Sequence, residues 1–100
     1  MLTREEYVKD LKTRLDRLNT GIINIEYKTR TVKKNVKAKL QARIRYLKEE
    51  RDSALTKLQI LYNTSEDSWY DLKQGTENVI DSLKAALFKT IVHYKKIKVI

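Results

Sequence analysis

Along the first part of the chain, apolar side chains recur at alternating steps of three and four: Val8, Leu11, Leu15, Leu18, Ile22 and Ile25, with Thr29, Val32 and Val36 continuing the phase. That spacing is a coiled-coil heptad seam sustained for about four repeats. From Leu40 the series runs through Arg43 or Ile44, Leu47, Arg51, Ala54, Leu58, and Leu61 or Tyr62. Steps of four, four and three fit it best, an eleven-residue pattern that unwinds a left-handed supercoil. The two series join without a gap, so the spacing predicts one helix over residues 4–62, about 90 Å long at 1.5 Å per residue. Asn19-Thr20-Gly21 is the one plausible interruption within it. The step from Leu18 to Ile22 keeps the phase, and an interior glycine costs only about 1 kcal/mol, so the helix reads as continuous. Pairs at helical spacing, such as Asp10 with Arg14, Glu26 with Arg30 and Lys48 with Asp52, favour helix by roughly 0.2–0.5 kcal/mol each.

The clear boundary is Asn63-Thr64-Ser65-Glu66-Asp67, where hydroxyls suited to an N-cap precede acids suited to a first helical turn. A second helix is predicted over residues 65–95. Its apolar face comprises Trp69, Leu72, Thr76, Val79 with Ile80, Leu83, Ala86 with Leu87, Ile91, Tyr94 and Ile97. The short link folds the two helices into an antiparallel hairpin, with residue i opposite roughly 127 − i for a pivot at 63–64. The expected fold is all-α: a single coiled-coil domain over 1–100, a long helix and a shorter return helix. The return helix is too short to cover residues 1–30. The seam Val8, Leu11, Leu15, Leu18, Ile22 and Ile25 therefore calls for a second chain, and an antiparallel homodimer within a helical bundle is expected.

Composition supports helix and narrows the chemistry. In 100 residues there is no proline, no cysteine and only two glycines. Disulfides and thiolate chemistry are excluded, and charges occupy the place of a leader's apolar core, so a cytoplasmic protein is expected. The net charge of +9 is blocked. Residues 27–48 carry Lys28, Arg30, Lys33, Lys34, Lys37, Lys39, Arg43, Arg45 and Lys48 without an acid, and residues 83–100 carry Lys84, Lys89, Lys95, Lys96 and Lys98 without an acid. A hairpin sets these two blocks side by side and gathers the acids toward the turn.

Several stretches resemble a known family: Arg4-Glu5-Glu6-Tyr7-Val8-Lys9, Tyr46-Leu47-Lys48-Glu49-Glu50-Arg51-Asp52, Ser65-Glu66-Asp67-Ser68-Trp69-Tyr70-Asp71-Leu72-Lys73-Gln74-Gly75, and Leu83-Lys84-Ala85-Ala86-Leu87-Phe88-Lys89. Together the pattern resembles a family of small bacterial coiled-coil proteins, best known from cyanobacteria and proteobacteria and labelled stress-response proteins. The resemblance implies a fold and a physiological setting, and no catalytic residues.

The expected function is that of a non-enzymatic structural or interaction protein. The alternative is a nucleic-acid or anionic-surface binder working through blocks 28–48 and 84–98. Its candidate residues are Lys28, Arg30, Lys33, Lys34, Lys37, Lys39, Arg43, Arg45, Lys95, Lys96 and Lys98. Nine charges over 28–48 wrap around a helix, so only some can face one duplex. The stretch Tyr94-Lys95-Lys96-Ile97-Lys98-Val99-Ile100 mixes apolar and cationic residues as peripheral membrane anchors do. His93, the only histidine, has no second soft ligand with which to hold a metal and reads as solvated surface. Trp69, Gly75 and Thr76 form a mixed stripe that reads either as core, with Gly75 allowing close approach to the first helix, or as a docking groove for another helix. No catalytic set, cofactor motif or metal spacing is present, and no small-molecule substrate is implied.

Overall fold

A run of β-branched and like-charged residues breaks the long helix that the apolar spacing predicts. In the computed structural model, which describes the backbone of residues 3–99 and the side chains of residues 3–97, the chain forms α1 (Arg4–Lys28), a single 3₁₀ turn (Thr29–Thr31), α2 (Lys34–Asn63) and α3 (Glu66–Val99). No strand occurs among the described residues.

The corner between α1 and α2 has an identifiable cause. Thr29, Thr31 and Val32 are weak helix formers. The Thr29 and Thr31 hydroxyls donate back to the Glu26 and Lys28 carbonyls at 2.7 and 3.2 Å. Arg30, Lys33, Lys34 and Lys37 would stand three or four residues apart on one helix, each pair destabilising by roughly 0.2–0.5 kcal/mol. The chain instead extends at Val32 (ψ 149°) and Lys33 (ψ 146°) and reverses. No described residue outside glycine has positive φ, so the corner needs no special backbone conformation.

α1 thus folds back on its own chain. Arg4 at its start bonds the Leu61 carbonyl at the end of α2, and Asn19 meets Arg51 farther along. Trp69 of α3 packs on Tyr7 of α1 near the start of both helices. The topology is an up-down-up three-helix bundle of 51 × 21 × 16 Å, with α1 and α3 parallel. The single helix expected over 4–62 is corrected to two helices and a corner. The return helix, expected to end near 95, continues to Val99.

The amino-terminal seam finds its cover inside the chain. Val8, Leu11, Leu15, Ile22 and Ile25 are buried and Leu18 is partly buried, in one core with Leu40, Leu47, Leu61, Ile80 and Leu83. The expectation of a bare seam is overturned, because closing α1 onto α2 and α3 buries the same face that a second chain would have covered. α2 buries Leu40, Ile44, Leu47, Ala54, Leu58 and Leu61 at regular heptad steps, with Arg51 filling the phase. Arg43 and Tyr62 are exposed, and the spacing irregularity lies at the corner.

Gly21 takes the close-packing role expected of Gly75. Gly21 lies within continuous α1, where an added Cβ would meet Leu87 Cδ2 at 2.8 Å, so it brings α1 close to α3. A Cβ on Gly75 would meet nothing within 4 Å, so Gly75 serves no close contact. Thr76 and Thr90 are buried with their hydroxyls donating to the Leu72 and Ala86 carbonyls, at 2.7 and 2.9 Å.

Candidate anion-binding surface

The corner end of the bundle collects the end of α1, the start of α2 and the end of α3. Both basic blocks therefore meet there, as a hairpin requires, but with a shifted register. Arg43 flanks Lys89 and His93, whereas Lys84 lies on the α1 side of α3 beside Leu18. Side chains of both antiparallel helices lean toward their own amino termini, so facing residues sum to more than a pivot at 63–64 gives.

α2 distributes its cations over two faces. Toward α1, Arg30, Lys37, Arg45 and Lys48 line a concavity of about 460 Å³, floored by Thr29 and Ile44. Its one carboxylate, Glu26, is paired with Lys48, and Lys37 Nζ donates to the Arg30 carbonyl at 3.4 Å. Glu26 and Lys48, each expected to pair along its own helix, thus meet across α1 and α2. Asp10 and Arg14 do pair within α1, at 3.1 Å. Toward α3, Arg43, Lys89, His93 and Lys96 share a shallow groove of about 340 Å³ that no carboxylate lines. At the tip, Lys33 borders an opening of about 510 Å³ whose walls include Val32, Val36, Tyr94 and Ile97. Lys28, Lys34, Lys39 and Lys95 are exposed around these openings. The side chains of Lys98 and Val99, and Ile100 itself, lie outside the described residues.

Helix ends sharpen the asymmetry. α1 begins with Glu5 and Glu6, and α3 with Glu66 and Asp67, each set complementing the positive end of its helix dipole. Thr3 caps α1, accepting from the Glu6 N–H at 3.1 Å. α2 begins without any acid in its first turn, and its N-cap is Lys33, which makes no capping hydrogen bond. Three positive contributions coincide there: the helix start, Lys33 and Lys34. That placement works against stability and favours an anion.

His93 is the residue that sequence reasoning placed wrongly. It is half-buried, and its Nε2 is enclosed without a hydrogen-bond partner among the described residues. Burial, then Arg43, Lys39 and Lys96, push its imidazole below its ordinary pKa, because each disfavours the charged form. The signal was present in its spacing, since Ala86, Thr90, His93 and Ile97 follow heptad steps on α3.

The remaining candidates settle more simply. Arg51 extends over α1, where Nη1 donates to Asn19 Oδ1 at 2.9 Å while Nε and Nη2 hold Asp52, so it sets register within the chain. Trp69 is partly buried between α1 and the α2–α3 link. Among the described residues no group of three or more His, Cys, Asp or Glu is placed to hold a metal, and no helix is long and apolar enough to cross a membrane. An apolar groove of about 460 Å³ opens between α1 and α3 at Leu18, Leu87 and Ile91, and Phe88 stands beside it 67% exposed. No protein family, curated protein or solved structure matches the chain.

Proposed function

We propose that this bundle is a non-enzymatic interaction module that binds a nucleic-acid strand through its corner end. The observation that carries the reading is the coincidence of the two basic blocks with the uncompensated start of α2. Folding has placed like charges together, with no acid at the first turn of α2 to offset them. A sequence under selection for stability alone would put Asp or Glu at that turn. Phosphates bound there would release counterions, so affinity falls steeply with salt. The α2–α3 groove is the better docking face, since Arg43, Lys89 and Lys96 line it without a carboxylate partner in the lining.

Fluorescence anisotropy with a labelled duplex and a labelled single strand, over a range of salt, tests the reading. The triple variant Lys39→Gln/Arg43→Gln/Lys96→Gln is expected to lose at least tenfold in affinity, with the log–log salt slope reduced by about 2–3, near 0.9 per lost phosphate contact. Equal binding by the variant and the parent, or binding insensitive to salt, defeats it.

A second reading is a self-associating structural protein of the bacterial stress-response coiled-coil type, acting in the cytoplasm as a homodimer. The stretches quoted above support it, and so do Ile23, Tyr27 and Phe88, large apolar side chains left exposed on α1 and α3. Chains that associate through those residues lose their dimer on Ile23→Ser, which lies away from the α2–α3 groove, and keep their binding to DNA.

A further inference from the structure

The heptad phase and the fold disagree at one place, and the disagreement is informative. Ile25, Thr29, Val32, Val36 and Leu40 continue a helical seam through a corner where no helix exists. A permanent reversal is usually marked by glycine or proline, and this one has neither; its mark in the spacing is the extra step of four from Val36 to Leu40, which a straight helix accommodates as a stutter. It consists of one 3₁₀ turn and two extended residues, Val32 (φ −78°) and Lys33 (φ −56°), whose φ values already suit a helix. Rotation of ψ at those two residues, from near 149° and 146° toward about −42°, makes α1 and α2 one helix.

We propose that α1 exchanges between two copies of this chain: the corner at Thr29–Lys33 straightens, and α1 of each copy docks on the α2–α3 face of the other in an antiparallel dimer. The buried face of α1 makes the same contacts in either form, because Val8, Leu11, Leu15, Ile22 and Ile25 meet the same α2 and α3 residues, supplied by the partner. The straight helix gains the intrahelical hydrogen bonds that the corner omits. Opposing it is charge. Lys28, Arg30, Lys33, Lys34 and Lys37 stand at repulsive helical spacings when the corner straightens, and the two-fold axis brings both copies' sets together. The closed chain is therefore the form at low salt and low concentration, and the exchanged dimer is the form at high salt and high concentration, where repulsion is screened. The exchange gives the self-associating reading a specific structure and does not depend on nucleic-acid binding.

Two variants move the corner in opposite directions. Lys33→Pro fits the closed form, since φ is −56° and the preceding Val32 is extended as proline requires, yet it breaks a straight helix. Thr31→Ala/Lys33→Ala favours the straight form. Both residues are exposed, alanine is the best helix former, and it is a poor N-cap for the bent form. Light scattering and small-angle scattering at high protein concentration and high salt read the result. Expected are a dimer about 90 Å long for the alanine variant, with a dissociation constant at least tenfold below the parent's, and a monomer of about 51 Å for Lys33→Pro. Monomers throughout, or a dimer that survives Lys33→Pro, overturn the exchange. The latter outcome, lost on Ile23→Ser, leaves association through the α1–α3 surface standing.

Discussion

The two ends of the bundle are built on opposite terms. Where α2 turns into α3, Arg4 reaches from α1 to donate to the Leu61 and Thr64 carbonyls, satisfying groups that a helix end leaves open. Its guanidinium lies 4.4 Å from the Trp69 ring centroid, Tyr7 meets Trp69 edge to face at 5.9 Å, and Lys73 sits 4.5 Å from the Tyr7 ring centroid. Three helices and a link are thus tied by one cluster, and acids occupy both helix starts at that end. Where α1 turns into α2, the ties are the local Thr29 and Thr31 hydroxyl bonds, the Lys37 bond to the Arg30 carbonyl, the Glu26–Lys48 pair and a partly buried apolar tip, and cations surround them. One end is arranged for stability, and the other keeps charges that a stable fold would avoid.

The largest effect should come from breaking the tied end. Trp69→Ala removes the stacking partner of both Arg4 and Tyr7, and is expected to lower unfolding free energy by about 3 kcal/mol, within the range for aromatic truncation. Denaturant unfolding followed by circular dichroism measures it. At the corner end, Lys34→Glu should act in the other direction and raise the midpoint slightly, because an acid there complements the start of α2. Loss of stability on both substitutions would mean that the ends do not differ in kind.

The glycines give an intermediate test along the length of the bundle. Gly21→Val drives two methyl groups toward Leu87, whose Cδ2 would already lie 2.8 Å from a Cβ at that position, and should cost about 1–3 kcal/mol through overpacking. Gly75→Ala enters open space within a helix and should add about 0.5–1 kcal/mol. Thermal melts of the two variants must move in opposite directions, which a role for Gly75 in close packing would reverse.

Much of this architecture was legible in the order of residues, and the missing part has a physical reason. The apolar seam identifies the buried faces of α1, α2 and α3, since Leu11, Leu15, Leu47, Leu61 and Leu83 are all buried where the spacing puts them. The α2–α3 link is announced by Thr64, Ser65 and the acids after them. The corner is not announced, because periodicity measures which side of a helix is apolar and is blind to whether the helix bends. What decides the bend is a sum of small terms: three weak helix formers, at a few tenths of a kcal/mol each, and several like-charged pairs of similar size. The juxtaposition of the basic blocks was legible, whereas their division between two faces of α2 required the register that only packing supplies.

The smallest expected effect concerns His93, and it probes the corner end without disturbing the tied one. Its folded-state pKa lies below that of the unfolded chain, because burial and the charges of Arg43, Lys39 and Lys96 disfavour the imidazolium. The unfolded state therefore binds the proton more readily, and stability rises with pH across the interval between the two values. Above the ordinary imidazole value of about 6.5 both states are neutral and the residue contributes no pH dependence. As pH falls below it, protonation favours unfolding, and the loss is complete once pH has passed the lowered folded value. His93→Gln should flatten the stability profile through that interval while leaving the profile above it unchanged. A bound phosphate would reverse the local balance by favouring the charged ring, so saturating duplex DNA should shrink the same slope in the parent chain. Unfolding midpoints of parent and variant across the acid range, with and without duplex, measure both effects. An identical slope in the variant removes His93 from the account, and an unchanged slope with DNA places the bound phosphates away from the α2–α3 groove.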